Sequence, residues 1–420
     1  MADVTGGCGG ADFVEGRHQR ELVGDGIPAA SCPVTSRPAP GGRHEWLVNG
    51  YREARDFLRD KRFSRAVLAG TNHPRGPATK MSITELDPPE HTRIRNLIGG
   101  AFSARRAGQL RGHVEKVAGE LLDELIRADL TADLLADFCA PLTFAAQAEL
   151  LGVPPSRRAV IRDRANARLG KPGSPRTEVY HGELLLHAEV ATMLADTEDP
   201  PAGLMAELVS AHRDQGLLSE TDLTGLAASL FFDGHALAAA QIANSVLCLV
   251  SRPGLLAALD GNPELLESVV EEALRYSPAV NFSMTRVATE PVELAGSRIE
   301  AGDLVTALLP IVNRDEDVFA DPDRFGLERT GTRHLSFGHG THHCIGAHLA
   351  RVELQAALAA LAQRAPWLSL DVRESELAWT VTPTMRTLSA LPVRWNTPVV
   401  LNGPDSEEPH GDRWEDRPAA

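Results

Sequence analysis

Apolar residues recur at three- and four-residue spacing through much of the chain. The pattern runs in HVEKVAGELLDELI from His113, DFCAPLTFAAQAELL from Asp137, ELLLHAEVATML from Glu183, GLMAELVSAHRD from Gly203 and ELLESVVEEALRY from Glu264. This spacing gathers them on one helical face, so each stretch predicts an amphipathic α-helix. Upstream, Trp46-Leu47-Val48 reads as a short strand, Asn49-Gly50 as a turn, and the next residues, with Ala54, Phe57 and Leu58 apolar, as a helix. The rhythm changes over residues 286–311, where VELAGSRIEAGDLVTALLP alternates and carries glycine turns, predicting a small β region. Leu226 to Val250 is the most apolar stretch and long enough to span a bilayer, but Asp233, His235, Gln241 and Asn244 interrupt it. It reads as a buried helix of a soluble core.

Two segments break the helical pattern. Ala66 to Asp87 contains Gly70, Pro74, Gly76 and Pro77, and Lys171 to Pro175 separates two helices. Long connections of this kind serve as lids or binding loops, so both are candidate walls of a substrate site. Residues 1–45, with Pro28, Pro33, Pro38 and Pro40, are expected to form a loosely ordered lead-in, and they lack the basic start and apolar run of a secretory signal. Residues 401–420 are expected to form an acidic, flexible tail. Between them, 46–400 reads as one large domain, mainly α with a minor β region, without internal repeats.

Composition narrows the setting. With 420 residues, 43% hydrophobic and 24% charged, the chain can bury a large core. A net charge of −15 argues against a nucleic-acid binder and against attraction to an anionic membrane. The five cysteines, Cys8, Cys32, Cys139, Cys248 and Cys344, are scattered and form no CxxC pair, which fits a reducing cytoplasm.

The chemistry concentrates in HLSFGHGTHHCIGAHLARVELQAALAAL, which starts at His334. Gly338 and Gly340 precede Cys344, and Gly346 follows it where a helical pattern begins. Glycines let a backbone turn tightly against a flat ligand, and the free N–H groups at a helix start stabilise a thiolate, which can bind a soft or borderline metal. From the residues alone, two other readings stand beside this one. Cys344 could be an inert buried thiol, or His339, His342, His343 and Cys344 could form a non-haem metal site.

Phe337, Gly338, Gly340, His342, Cys344 and Gly346 fit the pattern F-G-x-G-x-[H/R]-x-C-x-G without insertion, and in this the chain resembles the cytochrome P450 haem-thiolate enzymes. The resemblance extends over about residues 46–395 and implies the P450 fold, a buried haem b and Cys344 as axial iron ligand. Further matches follow the family's order. Glu272-Ala-Leu-Arg275 is similar to the E-x-x-R motif that locks the haem-binding core, although Glu90-His-Thr-Arg93 has the same spacing. His91 and Arg95, four apart, match the family's H-x-x-x-R propionate contact, and Arg286 and His342 supply the remaining expected contacts.

One motif departs from the family. Its central helix usually carries [A/G]-G-x-[D/E]-[T/S], whose acid and alcohol organise proton delivery to bound dioxygen. With Gly234 on the motif glycine, Ala236 stands at the acid position and Leu237 at the alcohol position. Gly234 is then expected to allow close approach over the haem. Asp233 becomes a candidate proton relay and His235 either a second one or a core residue, while a polar group of the substrate could also replace the missing pair.

The resemblance implies dioxygen activation and monooxygenation, such as hydroxylation, of a small, largely apolar molecule. Oxidative C–C or C–N coupling of an aromatic or cyclic dipeptide is the alternative, and a non-catalytic haem sensor or scaffold remains open. Candidate pocket walls are Ala66–Asp87, residues 160–185, Phe231–Leu237, Val280–Thr285 and Pro383–Leu388, with Phe232, Leu237, Val280, Met284 and Met385 as candidate lining residues. Electrons are expected from NAD(P)H through a ferredoxin or flavodoxin and its reductase. A stretch from His91 to His113 that contains Arg93, Arg95, Arg105, Arg106 and Arg111 and no acid could dock such an acidic partner.

Overall fold

The computed structural model describes residues 32–39, 41–70, 82–169, 176–329, 334–381 and 385–395. The tail, residues 1–31 and 40 of the lead-in, and residues 71–81, 170–175 and 383–384 of the expected pocket walls lie outside the described residues.

Helices dominate. They are α1 (Tyr51–Arg59), α2 (Ala66–Gly70), α3 (Glu90–Ile98), α4 (Ala104–Ala128), α5 (Ala140–Leu151), α6 (Pro155–Leu169), α7 (Arg176–Ala195), α8 (Gly203–Arg213), α9 (Glu220–Val250), α10 (Pro263–Tyr276), α11 (Leu309–Val312) and α12 (Ala347–Arg364). Local chemistry sets their ends. Ser103 Oγ accepts the Arg106 N–H at the start of α4, Ser219 and Asp222 form a capping box on α9, and Asn262 caps α10 ahead of Pro263. Gly152, at φ +79°, closes α5 in the left-handed conformation.

α9 is apolar all round and buried along most of its 31 residues, as expected of a central helix about 46 Å long. Although its length and composition would suit a membrane span, its surface is covered by α5, α6, α7, α8, α10 and α12. The main hydrophobic core lies around it, with Leu226, Phe231, Ile242 and Val246 of α9 packed in one cluster with Leu142 and Leu150 of α5 and Leu358 of α12.

The strands are β1 (Val34–Ala39), β2 (Arg43–Val48), β3 (Phe63–Ser64), β4 (Thr131–Asp133), β5 (Arg286–Ala288), β6 (Val292–Leu294), β7 (Ser297–Ile299), β8 (Leu304–Ala307), β9 (Leu368–Leu370), β10 (Trp379–Val381), β11 (Arg386–Leu388) and β12 (Pro392–Trp395). The largest sheet has the order β1-β2-β8-β5-β3, with β2 and β8 parallel and Trp46 opposite Val305. The β texture expected over 286–311 is therefore present as β5 to β8. The expected lead-in to residue 45 needs correction, because β1 pairs antiparallel with β2 from Val34↔Val48 to Ala39↔Arg43. The Arg37 Nε donates to Glu45 at 2.8 Å across that pair. Prolines flag irregular chain but are tolerated on an edge strand, and β1 is at the sheet edge.

Candidate active site

The segment before α12 folds back on itself. Cys344 N–H donates to the Phe337 carbonyl at 2.8 Å, and Gly338 N–H donates to the Leu335 carbonyl at 2.8 Å. Gly338 and Gly340 adopt φ of +70° and +71°. At Gly340 a Cβ would also lie 2.8 Å from the Leu58 carbonyl oxygen, so glycine is required where the loop passes the end of α1. The Phe337 ring is held by the Arg351 guanidinium, 4.7 Å from its centroid, and Arg351 is fixed in turn by Glu271 at 2.6 and 2.9 Å.

Cys344 sits just ahead of the α12 N-terminus, with Gly346 as the N-cap. The residue is accessible, yet desolvation by surrounding protein pushes its thiol pKa upward. Together these place the sulfur on the wall of an internal space. A hydrogen bond from the Gly346 backbone and the charges of Arg95 and Arg351 favour the thiolate, while Asp233 opposes it.

Beside this sulfur lies a cluster of cations and imidazoles. The His91 and His342 rings approach to 4.3 Å between centroids, and Arg286 lies 5.4 Å from the centroid of the Phe57 ring. Burial lowers the pKa of His342 to about 3 and of Arg286 to about 10, with further lowering from neighbouring positive groups, among them Arg65. His91 and Arg95 are also lowered, chiefly by burial. Asp87, the nearby acid, already accepts from Ser64 Oγ and from the backbone N–H groups of Arg65 and Ala66. His91 Nδ1 and Arg286 Nε are buried without a hydrogen-bond partner among the described residues. Such a cluster fits an anionic ligand, and the two propionates of a haem over Cys344 supply that chemistry. Arg65 was not among the sequence candidates. Its neighbours carry no motif, and only the β3–β5 pairing brings it near Arg286.

Glu272 and Arg275 form a buried, two-pronged ion pair. Arg275 Nε and Nη2 donate to the two carboxylate oxygens at 2.8 and 2.7 Å, and the side chains are 4% and 2% exposed. Arg275 Nη1 also donates to the carbonyls of Asn313 at 3.0 Å and Pro322 at 2.8 Å, while Gly326 N–H donates to Glu272 at 2.7 Å. The pair therefore ties α10 to the chain leading toward Cys344.

Across the cavity, Asp233 is exposed and Leu237 half-buried on an otherwise buried stretch of α9, four residues apart and thus on one helical face. Ala236, at the usual acid position, is buried. Gly234 requires a correction. A Cβ there would lie 2.5 Å from the side-chain amide of Gln147 on α5, so the glycine makes room for Gln147 and not for the haem. His235 is also turned away from the cavity. Its Nδ1 meets Thr143 Oγ1 at 3.0 Å, its Nε2 meets Asn166 Oδ1 at 3.4 Å, and burial lowers its pKa to about 4. Among the other lining candidates, Val280 and Met385 face each other in an isolated antiparallel bridge, and Phe232 and Met284 are half-buried.

Comparison with known proteins agrees with this geometry. The family model described as Cytochrome P450 matches residues 188–378. The mycinamicin IV hydroxylase/epoxidase of Micromonospora griseorubida is 38% identical, covering 86% of this chain and 92% of the relative. The nocardicin C N-oxygenase of Nocardia uniformis subsp. tsuyamanensis is 39% identical over 87% of this chain and 93% of its own. A solved P450 for C–S bond formation in chuangxinmycin biosynthesis superposes with a TM-score of 0.78 at 31% identity, covering 87% of this chain and 91% of that one.

Proposed function

The chain belongs to the cytochrome P450 family, and on that premise we propose that it monooxygenates a small, largely apolar substrate of secondary-metabolite type at a haem b bound through Cys344. The observation that carries this reading is the position of Cys344, at the start of α12 on the wall of an internal space beside a cluster of positive groups. When bound, the haem supplies dioxygen activation, with electrons from NAD(P)H.

The protein's residues do the rest. Gly346 N–H and the positive end of α12 favour the sulfur as thiolate, while Arg65, His91, Arg95, Arg286 and His342 would hold the propionates. The Asp233 carboxyl holds and passes the proton that the family's acid-alcohol pair otherwise handles. Phe232, Leu237, Val280, Met284 and Met385 exclude water and orient the substrate. Arg105, exposed, and Arg106, half-buried, at the start of α4 offer a cationic face to an acidic ferredoxin or flavodoxin, as expected in a bacterial cytoplasm.

A second reading, oxidative coupling, is favoured by one observation: Leu237 presents no hydroxyl beside Asp233. Turnover of candidate substrates under isotopically labelled dioxygen, with a ferredoxin and its reductase, separates the readings. Monooxygenation places one labelled oxygen atom in the product, whereas coupling removes two hydrogens and adds no oxygen. Protein whose reduced, carbon-monoxide-bound spectrum lacks the thiolate band overturns both.

A further inference from the structure

The polar side chains that α5 buries against α9 have no part in the site described so far. Gln147 is 1% exposed, and its Nε2 donates to the Leu230 carbonyl at 2.8 Å. In a regular helix that carbonyl accepts only the Gly234 N–H, so Gln147 takes its second lone pair. It can reach it only because Gly234 has no Cβ. One turn earlier on α5, Thr143 is fully buried and lies 3.2 Å from the His235 carbonyl and 3.0 Å from His235 Nδ1. The Thr143 hydroxyl also lies 3.1 Å from the Cys139 carbonyl of its own helix, and His235 Nε2 meets Asn166 Oδ1 on α6 at 3.4 Å, so both ring nitrogens are engaged.

These contacts bracket one turn of α9. The Leu230 and His235 ends are held from the α5 side, and Asp233 lies between them on the cavity side. Apolar side chains of similar shape would pack α5 against α9 without needing matched partners, each of which costs about 1–3 kcal/mol if left unpaired. What a polar set adds over such packing is a fixed axial and rotational position of the turn.

We infer that Thr143 and Gln147, with His235 and Asn166, form a buried clamp that sets the position of the cavity-facing turn of α9, and that they are positioning residues for proton delivery by Asp233. This rests on the reading of Asp233 as the distal acid.

The test uses haem-loaded protein and the variants Gln147→Leu, Thr143→Val, Thr143→Ser and Asp233→Asn. Gln147→Leu and Thr143→Val are expected to keep the thiolate band and to lower the melting temperature by no more than a few degrees. Amide hydrogen exchange over residues 231–239 should then quicken at least about tenfold. Product formed per reducing equivalent should fall about threefold or more, and Thr143→Ser should restore both. Gly234→Ala, which evicts Gln147 without deleting a polar group, should repeat the effect and serves if a clamp variant does not fold. Unchanged exchange in the folded variants overturns the clamp. So does faster exchange at full coupling while Asp233→Asn loses coupling, an outcome that leaves the acid standing. Loss of coupling in the clamp variants with full coupling in Asp233→Asn upholds the positioned turn and removes Asp233 as its acid.

Discussion

The His91 and His342 rings lie 4.3 Å apart, and each has its pKa lowered both by burial and by the positive charge of Arg286. Burial disfavours charge on either ring, so the positive charge of the cluster rests on its guanidiniums, and an anion among them offsets their mutual repulsion. Replacing Arg286 with Leu should therefore weaken haem retention, because one charge-assisted hydrogen bond is worth about 1.5–3 kcal/mol. Haem transfer to a competing acceptor protein should become about 10- to 100-fold faster. Arg105→Leu, at the exposed start of α4, should leave it unchanged. Equal transfer rates in the two variants would detach Arg286 from the propionates.

Two ion pairs with the same three-residue spacing should differ sharply in what they contribute. Glu272 and Arg275 are 4% and 2% exposed, whereas Glu90 and Arg93 are 48% and 40% exposed. Glu272→Ala leaves a buried guanidinium uncompensated and should cost about 3–5 kcal/mol. Glu90→Ala should cost at most about 1 kcal/mol. Denaturant midpoints of the haem-loaded variants provide the comparison, and similar costs would show that burial is not what distinguishes the pairs.

That contrast also shows what the sequence makes legible. Helical periodicity located α4, α5, α7, α8 and α10, and the spacing around Cys344 singled out that cysteine, because both are local signals. Burial is not local, so Glu272 and Glu90 looked alike until the chain around Asn313 to Gly326 closed over one of them. β1 was hidden because its strand character comes from pairing with β2 and not from its own composition. From a motif register, Gly234 reads toward the cavity and His235 as either a relay or a core residue. Their actual neighbours, Gln147 and Thr143, lie on another helix about ninety residues upstream and carry no pattern of their own.

Leu237→Thr restores a hydroxyl one turn after Asp233, on the same half-open face of α9. The expected variant keeps the thiolate band, since Cys344 is untouched, and changes the fraction of reducing equivalents recovered in product. A threonine at this depth supplies an extra donor and acceptor for water beside the carboxyl. Simultaneous measurement of product, hydrogen peroxide and NAD(P)H consumption reads the change. Identical partitioning in the two proteins would mean that position 237 has no part in proton delivery.

Two buried titratable groups outside the haem pocket should make stability depend on pH with opposite signs. His235, in contact with Thr143, Asn166 and the edge of the Phe144 ring, has its pKa lowered by burial to about 4. Below about pH 6.5 the unfolded chain binds a proton that the native ring refuses, so stability is full above that pH and falls as pH drops toward 4. The loss reaches about 3 kcal/mol. Glu353 on α12 is 1% exposed, with Oε1 unpartnered among the described residues, and burial raises its pKa well above the ordinary carboxylate value. Here the native state keeps a proton that the unfolded chain releases above about pH 4.5, so stability falls as pH rises. Neither substitution to glutamine titrates. Relative to wild type, His235→Gln should therefore gain stability between pH 7 and pH 4.5, and Glu353→Gln should gain it between pH 5 and pH 8. Unfolding midpoints of the ferric holoproteins across that range decide the matter. Any haem loss common to all three proteins cancels in the differences, and profiles that run parallel to wild type would show that neither group is held in the protonation state its burial dictates.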